Sequence, residues 1–174
     1  MLGRIEKVID GMALCACYIA GIGIFIIMLM QVLEIIVRNT LDYSFPFVWE
    51  YASYFYICAV FLAAAHTLRV GGHIRVTLLE RYHTYLFEVI GTLVALIISL
   101  FLSTALIQFS WQYGISGRTS GTVNNVPLVI PAAVMTFGAV LLSAQLVLRL
   151  IHALLNIQTE RRETLMMTQP SVTE

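Results

Sequence analysis

The sequence predicts an all-α integral membrane protein with four transmembrane helices, both termini in the cytoplasm, and a short amphipathic surface helix between the second and third spans. Its 174 residues are 59% hydrophobic and 11% charged, whereas soluble domains carry about 25% charged residues. Charged side chains are missing from four long segments, namely residues 11–33, 51–68, 89–117 and 119–148. A bilayer core requires roughly 20 apolar residues in a helix, so each segment can cross it.

The predicted spans cover residues 11–33, 50–68, 87–109 and 127–149. They form one membrane domain, residues 1–155, followed by a polar cytoplasmic tail at 156–174 that we expect to be mobile. Helices are predicted because backbone groups in lipid must bond within their own segment, and because the apolar runs do not alternate as barrel strands do. We interpret the first span as a retained anchor, since its apolar run is longer than that of a typical signal peptide.

Basic residues predict the orientation. One side of the predicted membrane domain carries eight of them: Arg4, Lys7, Arg69, Arg75, Arg81, Arg149, Arg161 and Arg162. The other side carries Arg38 and Arg118. Basic loops stay in the cytoplasm, which places both termini there. Aromatic residues around Trp49 and Trp111 agree, because they collect at one depth on the outer side.

Acidic residues gather at the outer ends of the first two spans. Glu34, Arg38 and Asp42 are four residues apart, so a helix continuing past the bilayer would present them as an exposed ion-pair ladder. Glu50 follows Trp49 at the start of the second span. We interpret Glu50 as a hydrated interfacial carboxylate rather than a proton relay.

The loop between the second and third spans predicts the surface helix. Ile74, Leu78 and Tyr82 recur every four residues, which is typical of a helix lying on the inner leaflet. Gly71 and Gly72 would allow a sharp turn before it, and no nucleotide-binding glycine motif is present. Four side chains are expected to contact lipid headgroups and fix the orientation: Arg69, His73, Arg75 and Arg81.

Small residues predict where the helices pack. The third span carries Gly91, Ala95, Ser99 and Ser103 at intervals of four, and such stripes allow close helix approach. Similar residues occur in the second span (Ala59, Ala63) and throughout the fourth. A partner interface and internal packing of the four helices are both compatible with this pattern. The three cysteines have no metal-ligand spacing and are interpreted as packing residues.

The predicted spans contain little ionisable chemistry. We expect only His66 and Gln108 to interrupt otherwise weakly polar spans, so the chain is poorly equipped to carry a polar substrate alone. Two alternatives remain open. His66 and His152 end different helices on one side, where they could ligate a haem iron in a redox anchor. A small oligomeric drug exporter would rely on an intramembrane acid, for which Glu34 is the candidate.

Two stretches of the sequence match the motifs of one family. The first stretch contains Trp49, Glu50, Phe61, Ala63, Ala64, Arg69, Gly72, His73, Ile74 and Val76. The second is the last span, with Pro127, Pro131 and Gly138. In these residues and their spacing the chain resembles the small membrane subunit (Q, or DctQ-type) of tripartite ATP-independent periplasmic (TRAP) transporters. The sequence departs from the family pattern at Tyr51, Thr77 and Thr136, where an acid, an aspartate and a proline are common.

The resemblance implies a non-catalytic scaffold in the bacterial inner membrane. Such a subunit supports a large multi-span M subunit, which holds the substrate and sodium sites. A periplasmic solute-binding protein delivers the substrate, typically a carboxylate. The resemblance therefore implies no catalytic, substrate-binding or metal site and no cofactor in this chain, and its partners are the M subunit, the binding protein and phospholipids. Nucleic acid is not an expected partner.

Overall fold

A computed structural model describes residues 2–70, 80–122 and 124–168, with side chains described for 4–70, 89–122 and 124–155. These residues form four α-helices: α1 (Leu2–Leu41), α2 (Pro46–Arg69), α3 (Glu80–Ser116) and α4 (Val129–Thr168). Each helix contains a segment long and apolar enough to cross a membrane. The predicted all-helical, four-span fold is confirmed, and the chain is a multi-pass membrane protein.

The helices extend past the predicted spans. α1 has 40 residues and is therefore about 60 Å long, roughly twice the thickness of a bilayer core. α4 continues as a helix to Thr168, into the segment predicted as a tail, whose mobility stays a prediction. The predicted surface helix falls mainly on residues 71–79, outside the described part of the chain, and α3 begins at Glu80.

The four helices pack in a row with α2 and α4 in the middle. α1 lies along α2, α3 lies along α4, and α1 makes a smaller contact with α4. Within the described residues, α3 packs against α4 alone. The outer faces of α1 and α3 are consequently lined by exposed apolar side chains, among them Ile22, Phe25, Ile97 and Phe101.

Alanine dominates the core shared by α1, α2 and α4. Its buried members are Ala13, Ala16, Ala20, Ala59, Leu62, Ala65 and Leu141. Small side chains allow membrane helices to approach closely, and van der Waals contact then holds them together. The alanines of α1 were not predicted as packing residues, although their spacing of three and four places them on one helix face.

Gly138 lies at the closest approach of α2 and α4. A Cβ at this position would stand 2.6 Å from both the carbonyl carbon and the carbonyl oxygen of Phe61. Real Cβ atoms essentially never come within 3.0 Å of such atoms, so this packing requires glycine. The Cys58 thiol, also on α2, reaches the Pro131 carbonyl of α4 at 3.7 Å.

Hydroxyl groups join α3 to α4. Ser143 Oγ lies 2.8 Å from Ser99 Oγ and 3.0 Å from Ser103 Oγ, and all three side chains are buried. The Thr136 hydroxyl donates to the Leu106 carbonyl of α3 at 3.1 Å. Such interhelical hydrogen bonds stabilise helix pairs in lipid.

The predicted small-residue stripe of α3 therefore divides into two parts. Ser99 and Ser103 pack internally against α4, and Ala95 is half-buried. Gly91 is exposed, and a Cβ on it would meet nothing within 4 Å. Internal packing thus accounts for the outer half of the stripe, and the half around Gly91 faces away from the described helices.

Candidate functional site

A polar cluster joins three helices near the N-terminal end of α1. Asp10 of α1 accepts a hydrogen bond from Gln145 Nε2 of α4 at 3.0 Å. Its other carboxylate oxygen lies 2.8 Å from Arg69 Nη2, at the end of α2. Asp10 and Gln145 are 9% and 6% exposed, so the ion pair is shielded from solvent on the Asp10 side. We call Asp10, Arg69 and Gln145 the inner cluster.

The inner cluster corrects one expectation. Gln145 lies within the predicted fourth span and is buried, so the prediction that only His66 and Gln108 interrupt the spans is wrong. A buried amide in a membrane helix requires hydrogen-bond partners, and Asp10 supplies one. Arg69 is half-exposed and paired with Asp10, and its predicted contact with lipid headgroups stays a prediction.

The two histidines considered as haem ligands have different surroundings. His66 lies in the last turn of α2, and its Nδ1 is buried with no hydrogen-bond partner among the described residues. His152 Nε2 lies 3.8 Å from a carboxylate oxygen of Glu6, and both side chains are well exposed. His152 is therefore placed beside an acid at the surface, which is not the apolar slot that a haem requires.

At the other end of the molecule, Glu34 is buried rather than exposed. It is 2% exposed, and it accepts a hydrogen bond from the Ser44 hydroxyl at 2.9 Å. Arg38 Nε lies 3.9 Å away on the same helix. The predicted ladder keeps its Glu34–Arg38 pair but is wrong in two other respects. Glu34 is shielded, and α1 ends at Leu41 so that Asp42 has a left-handed backbone with φ 50°.

Glu50 lies where α2 faces the connection between α3 and α4. Its Oε2 accepts a hydrogen bond from Asn124 Nδ2 at 3.0 Å, and its Oε1 accepts one from the Tyr54 hydroxyl at 3.4 Å. Glu50 is half-buried. The interpretation of Glu50 as a hydrated interfacial carboxylate stays a prediction, and the structure adds its contact with a residue 74 positions away in the chain.

The connection between α3 and α4, residues 117–128, is a small hairpin. Thr119 pairs with Pro127 in an isolated antiparallel bridge. Ser120 N donates to the Val126 carbonyl at 2.8 Å, and Leu128 N donates to the Arg118 carbonyl at 3.1 Å. These bonds close the turn, and we call its described residues, 117–122 and 124–128, the outer hairpin.

The remaining predicted motif residues have modest roles in the described structure. Trp49 is exposed at 53%. Pro127 lies in the outer hairpin, and Pro131 lies in the first turn of α4, where proline is tolerated. Gly72, His73 and Arg75 are outside the described residues, as is the side chain of Arg81.

Within the described residues, no group of three or more histidine, cysteine or acidic side chains could hold a metal ion. The polar groups instead form the contacts described above: the inner cluster, the serine contacts between α3 and α4, the bond between Glu34 and Ser44, and the bond between Glu50 and Asn124. Every one of these contacts joins two helices, or a helix to a loop. The arrangement is suited to holding helices together.

Comparison with known proteins identifies a family. The family described as "Tripartite ATP-independent periplasmic transporters, DctQ component" matches residues 25–156. No curated protein and no solved structure matches the chain significantly. The match covers most of the chain and includes both stretches on which the resemblance was based. The chain belongs to the DctQ family and is a small permease subunit of a TRAP transporter.

Proposed function

We propose that this chain is a non-catalytic scaffold for the large M subunit of its transporter. The observation that carries the proposal is that the buried Asp10 and Gln145 of the inner cluster, and the three buried serines of α3 and α4, bond to one another across helices. A substrate path would instead need polar groups directed into a cavity. The exposed apolar faces of α1 and α3 supply surface for lipid and for a large membrane partner.

The transporter itself is a secondary importer driven by a sodium gradient. Its substrate is a carboxylate-type solute, delivered by a periplasmic binding protein and translocated by the M subunit. This chain supplies the outer loops, residues 40–48 and 114–126, toward the binding protein. Phospholipid headgroups contact Arg69, His73, Arg75 and Arg81 on the opposite side.

The scaffold lies in the bacterial inner membrane with both termini in the cytoplasm. The excess of basic residues at Arg4, Lys7, Arg149 and the tail supports this orientation. Reporter fusions check it directly. A fusion after residue 174 should be active as a cytoplasmic reporter and inactive as a periplasmic one, and a fusion within the outer hairpin should give the opposite result.

Co-purification and reconstitution test the scaffold role. A tagged chain extracted from membranes in mild detergent should bring down a large multi-span protein. Proteoliposomes containing both subunits should take up solute when the loaded binding protein and an inward sodium gradient are supplied, and vesicles lacking this chain should not. Uptake by the large subunit alone at the full rate would refute the scaffold role. Uptake by this chain alone would show that it carries substrate.

A further inference from the structure

Glu50 connects the outer hairpin to the rest of the protein. It lies in the second turn of α2, and its Oε2 accepts a hydrogen bond from Asn124 Nδ2 at 3.0 Å. Its other oxygen faces the Tyr54 hydroxyl at 3.4 Å. Asn124 belongs to the outer hairpin, which follows α3 in the chain. The contact therefore joins α2 to a segment that is distant from it in sequence.

The contact depends on the acceptor character of the carboxylate. An ionised carboxylate only accepts hydrogen bonds, and the groups facing it in the described structure can all donate: the Asn124 amide, the Tyr54 phenol, and the hydroxyls of Ser120 and Thr122 in the same hairpin. Hydrogen bonds to an ionised acceptor are shorter and stronger than neutral ones. Glu50 therefore fixes the position of Asn124 more firmly than a neutral side chain could.

The outer hairpin is held in one shape by its own bonds. Ser120 is 6% exposed, and its Oγ accepts a hydrogen bond from Val126 N at 3.0 Å. Asn125 N donates to the Thr122 carbonyl at 3.2 Å. The backbone of Asn125 is left-handed, with φ 46°, a conformation that asparagine tolerates better than most residues. Because the hairpin keeps its shape, its contacts with Glu50 set where it lies against α2.

The described residues at the tip of the outer hairpin are exposed and polar, and the apolar Val123 between them lies outside the described residues. Gly121, Thr122, Asn124 and Asn125 are all exposed, and none carries a charge or a large apolar group. Burial of these hydroxyl and amide groups in lipid would cost hydrogen bonds with water. Their chemistry therefore fits a water-soluble protein surface, where polar groups and bridging waters replace the lost contacts.

We propose that Glu50 is a positioning residue: through Asn124 it holds the outer hairpin where the exposed tip docks the periplasmic binding protein. This inference rests on the proposed function, because it requires a binding protein that delivers substrate to the assembled subunits. A preformed docking element loses less conformational freedom on binding than a mobile loop does. Loosening the hairpin should consequently weaken docking without changing the later steps of transport.

The test exchanges the two partners of the hydrogen bond. Asn124→Asp places a second carboxylate against Glu50, so the two groups repel each other and the contact opens. Adding Glu50→Gln restores the hydrogen bond with donor and acceptor exchanged, because the amide at position 50 now donates to the carboxylate at position 124. Ser53→Ala is the matched control, because this exposed α2 residue bonds only to its own helix at the Trp49 carbonyl in the described structure.

Each variant is co-purified with the large subunit, reconstituted, and assayed for uptake against increasing concentrations of substrate-loaded binding protein. Asn124→Asp should raise the apparent KM for the loaded binding protein about tenfold with the maximal rate unchanged, which corresponds to about 1.4 kcal/mol. The double variant should return the KM to within about threefold of the native value, and Ser53→Ala should not change it.

Four other outcomes overturn the inference in distinguishable ways. An unchanged KM for Asn124→Asp means that the hairpin position does not govern docking. Loss of co-purification in Asn124→Asp means that the contact serves assembly with the large subunit. A lowered maximal rate in Asn124→Asp that the double variant restores has the same meaning. If the native chain itself fails to co-purify with a large subunit, the proposed function fails, and this inference fails with it.

Discussion

Gly138 of α4 lies against the main chain of Phe61 in α2, where a Cβ would stand 2.6 Å from the Phe61 carbonyl carbon and 3.0 Å from Leu62 N. The atoms in the way belong to the backbone, which cannot rotate aside as a flexible side chain can. α2 and α4 are the two central helices of the row, and both α1 and α3 pack onto this pair. The separation of α2 and α4 at Gly138 therefore sets the geometry of the whole domain.

Gly138→Ala should destabilise the protein. The added methyl group forces α2 and α4 apart, and overpacking of this kind typically costs about 1–3 kcal/mol. We expect a lower Tm in detergent and a smaller yield of the complex with the large subunit. Gly91→Ala is the matched control, since a Cβ at Gly91 meets nothing within 4 Å. Equal Tm values for the two variants would contradict the close approach.

The helices were predictable from sequence because a bilayer imposes a length on every apolar run. Three of the four charge-free segments fall within one helix or extend one residue past it, and the fourth, residues 119–148, leads from the outer hairpin into α4. Pro46 and Pro131 lie in first turns, where proline is tolerated. Gly138 was singled out only through the family resemblance. Its neighbour Phe61 is far away in the chain, and no local pattern reveals which backbone a glycine meets.

The polar contacts were less predictable. Asp10 lies just before a charge-free segment, and Gln145 is uncharged. Neither residue is therefore identified by looking for charged side chains within the spans. Their hydrogen bond joins residues 135 positions apart, so it depends on the tertiary structure and has no local sequence pattern. Glu34 was misjudged for a related reason. Spacing by four describes neighbours on one helix, whereas Ser44 reaches Glu34 because the chain turns after Leu41.

Asp10→Asn should weaken the joint between α1 and α2 specifically. The Asn side chain still accepts the hydrogen bond from Gln145, but it loses the negative charge that faces Arg69. Arg69 is half-exposed, and water screens part of the attraction, so we expect a loss of about 1 kcal/mol. Thermal unfolding in detergent measures the loss.

A double-mutant cycle isolates the pair. Asp10→Asn, Arg69→Gln and their combination should show a coupling energy of about 1 kcal/mol. Lys7→Gln provides the control, because Lys7 is an exposed basic residue on the same helix. Fully additive effects of Asp10→Asn and Arg69→Gln would show that the ion pair contributes nothing to stability.

Ser143→Ala should weaken the packing of α3 on α4. It removes the central hydroxyl of three, leaving Ser99 and Ser103 buried without that partner. Interhelical hydrogen bonds in membrane proteins contribute about 0.6–1.7 kcal/mol, and we expect a loss of this size in detergent. Thr104→Ala is the control, since the exposed Thr104 hydroxyl bonds within its own helix to the Phe101 carbonyl. An identical Tm for both variants would contradict a stabilising role for the serines.

Glu34→Gln should leave stability and transport nearly unchanged, and Glu34→Ala should not. The Gln carbonyl can still accept the hydrogen bond that the Ser44 hydroxyl donates to Glu34, so we expect a change within about 0.5 kcal/mol. Alanine leaves a cavity at a position that is 2% exposed and removes the acceptor, which should cost about 2 kcal/mol. Asp42→Asn, an exposed position beyond α1, controls for the loss of an outer negative charge. Thermal unfolding and uptake in proteoliposomes measure both effects. Loss of transport in Glu34→Gln with an unchanged Tm would instead assign Glu34 a role in proton transfer, as expected of a proton-coupled exporter.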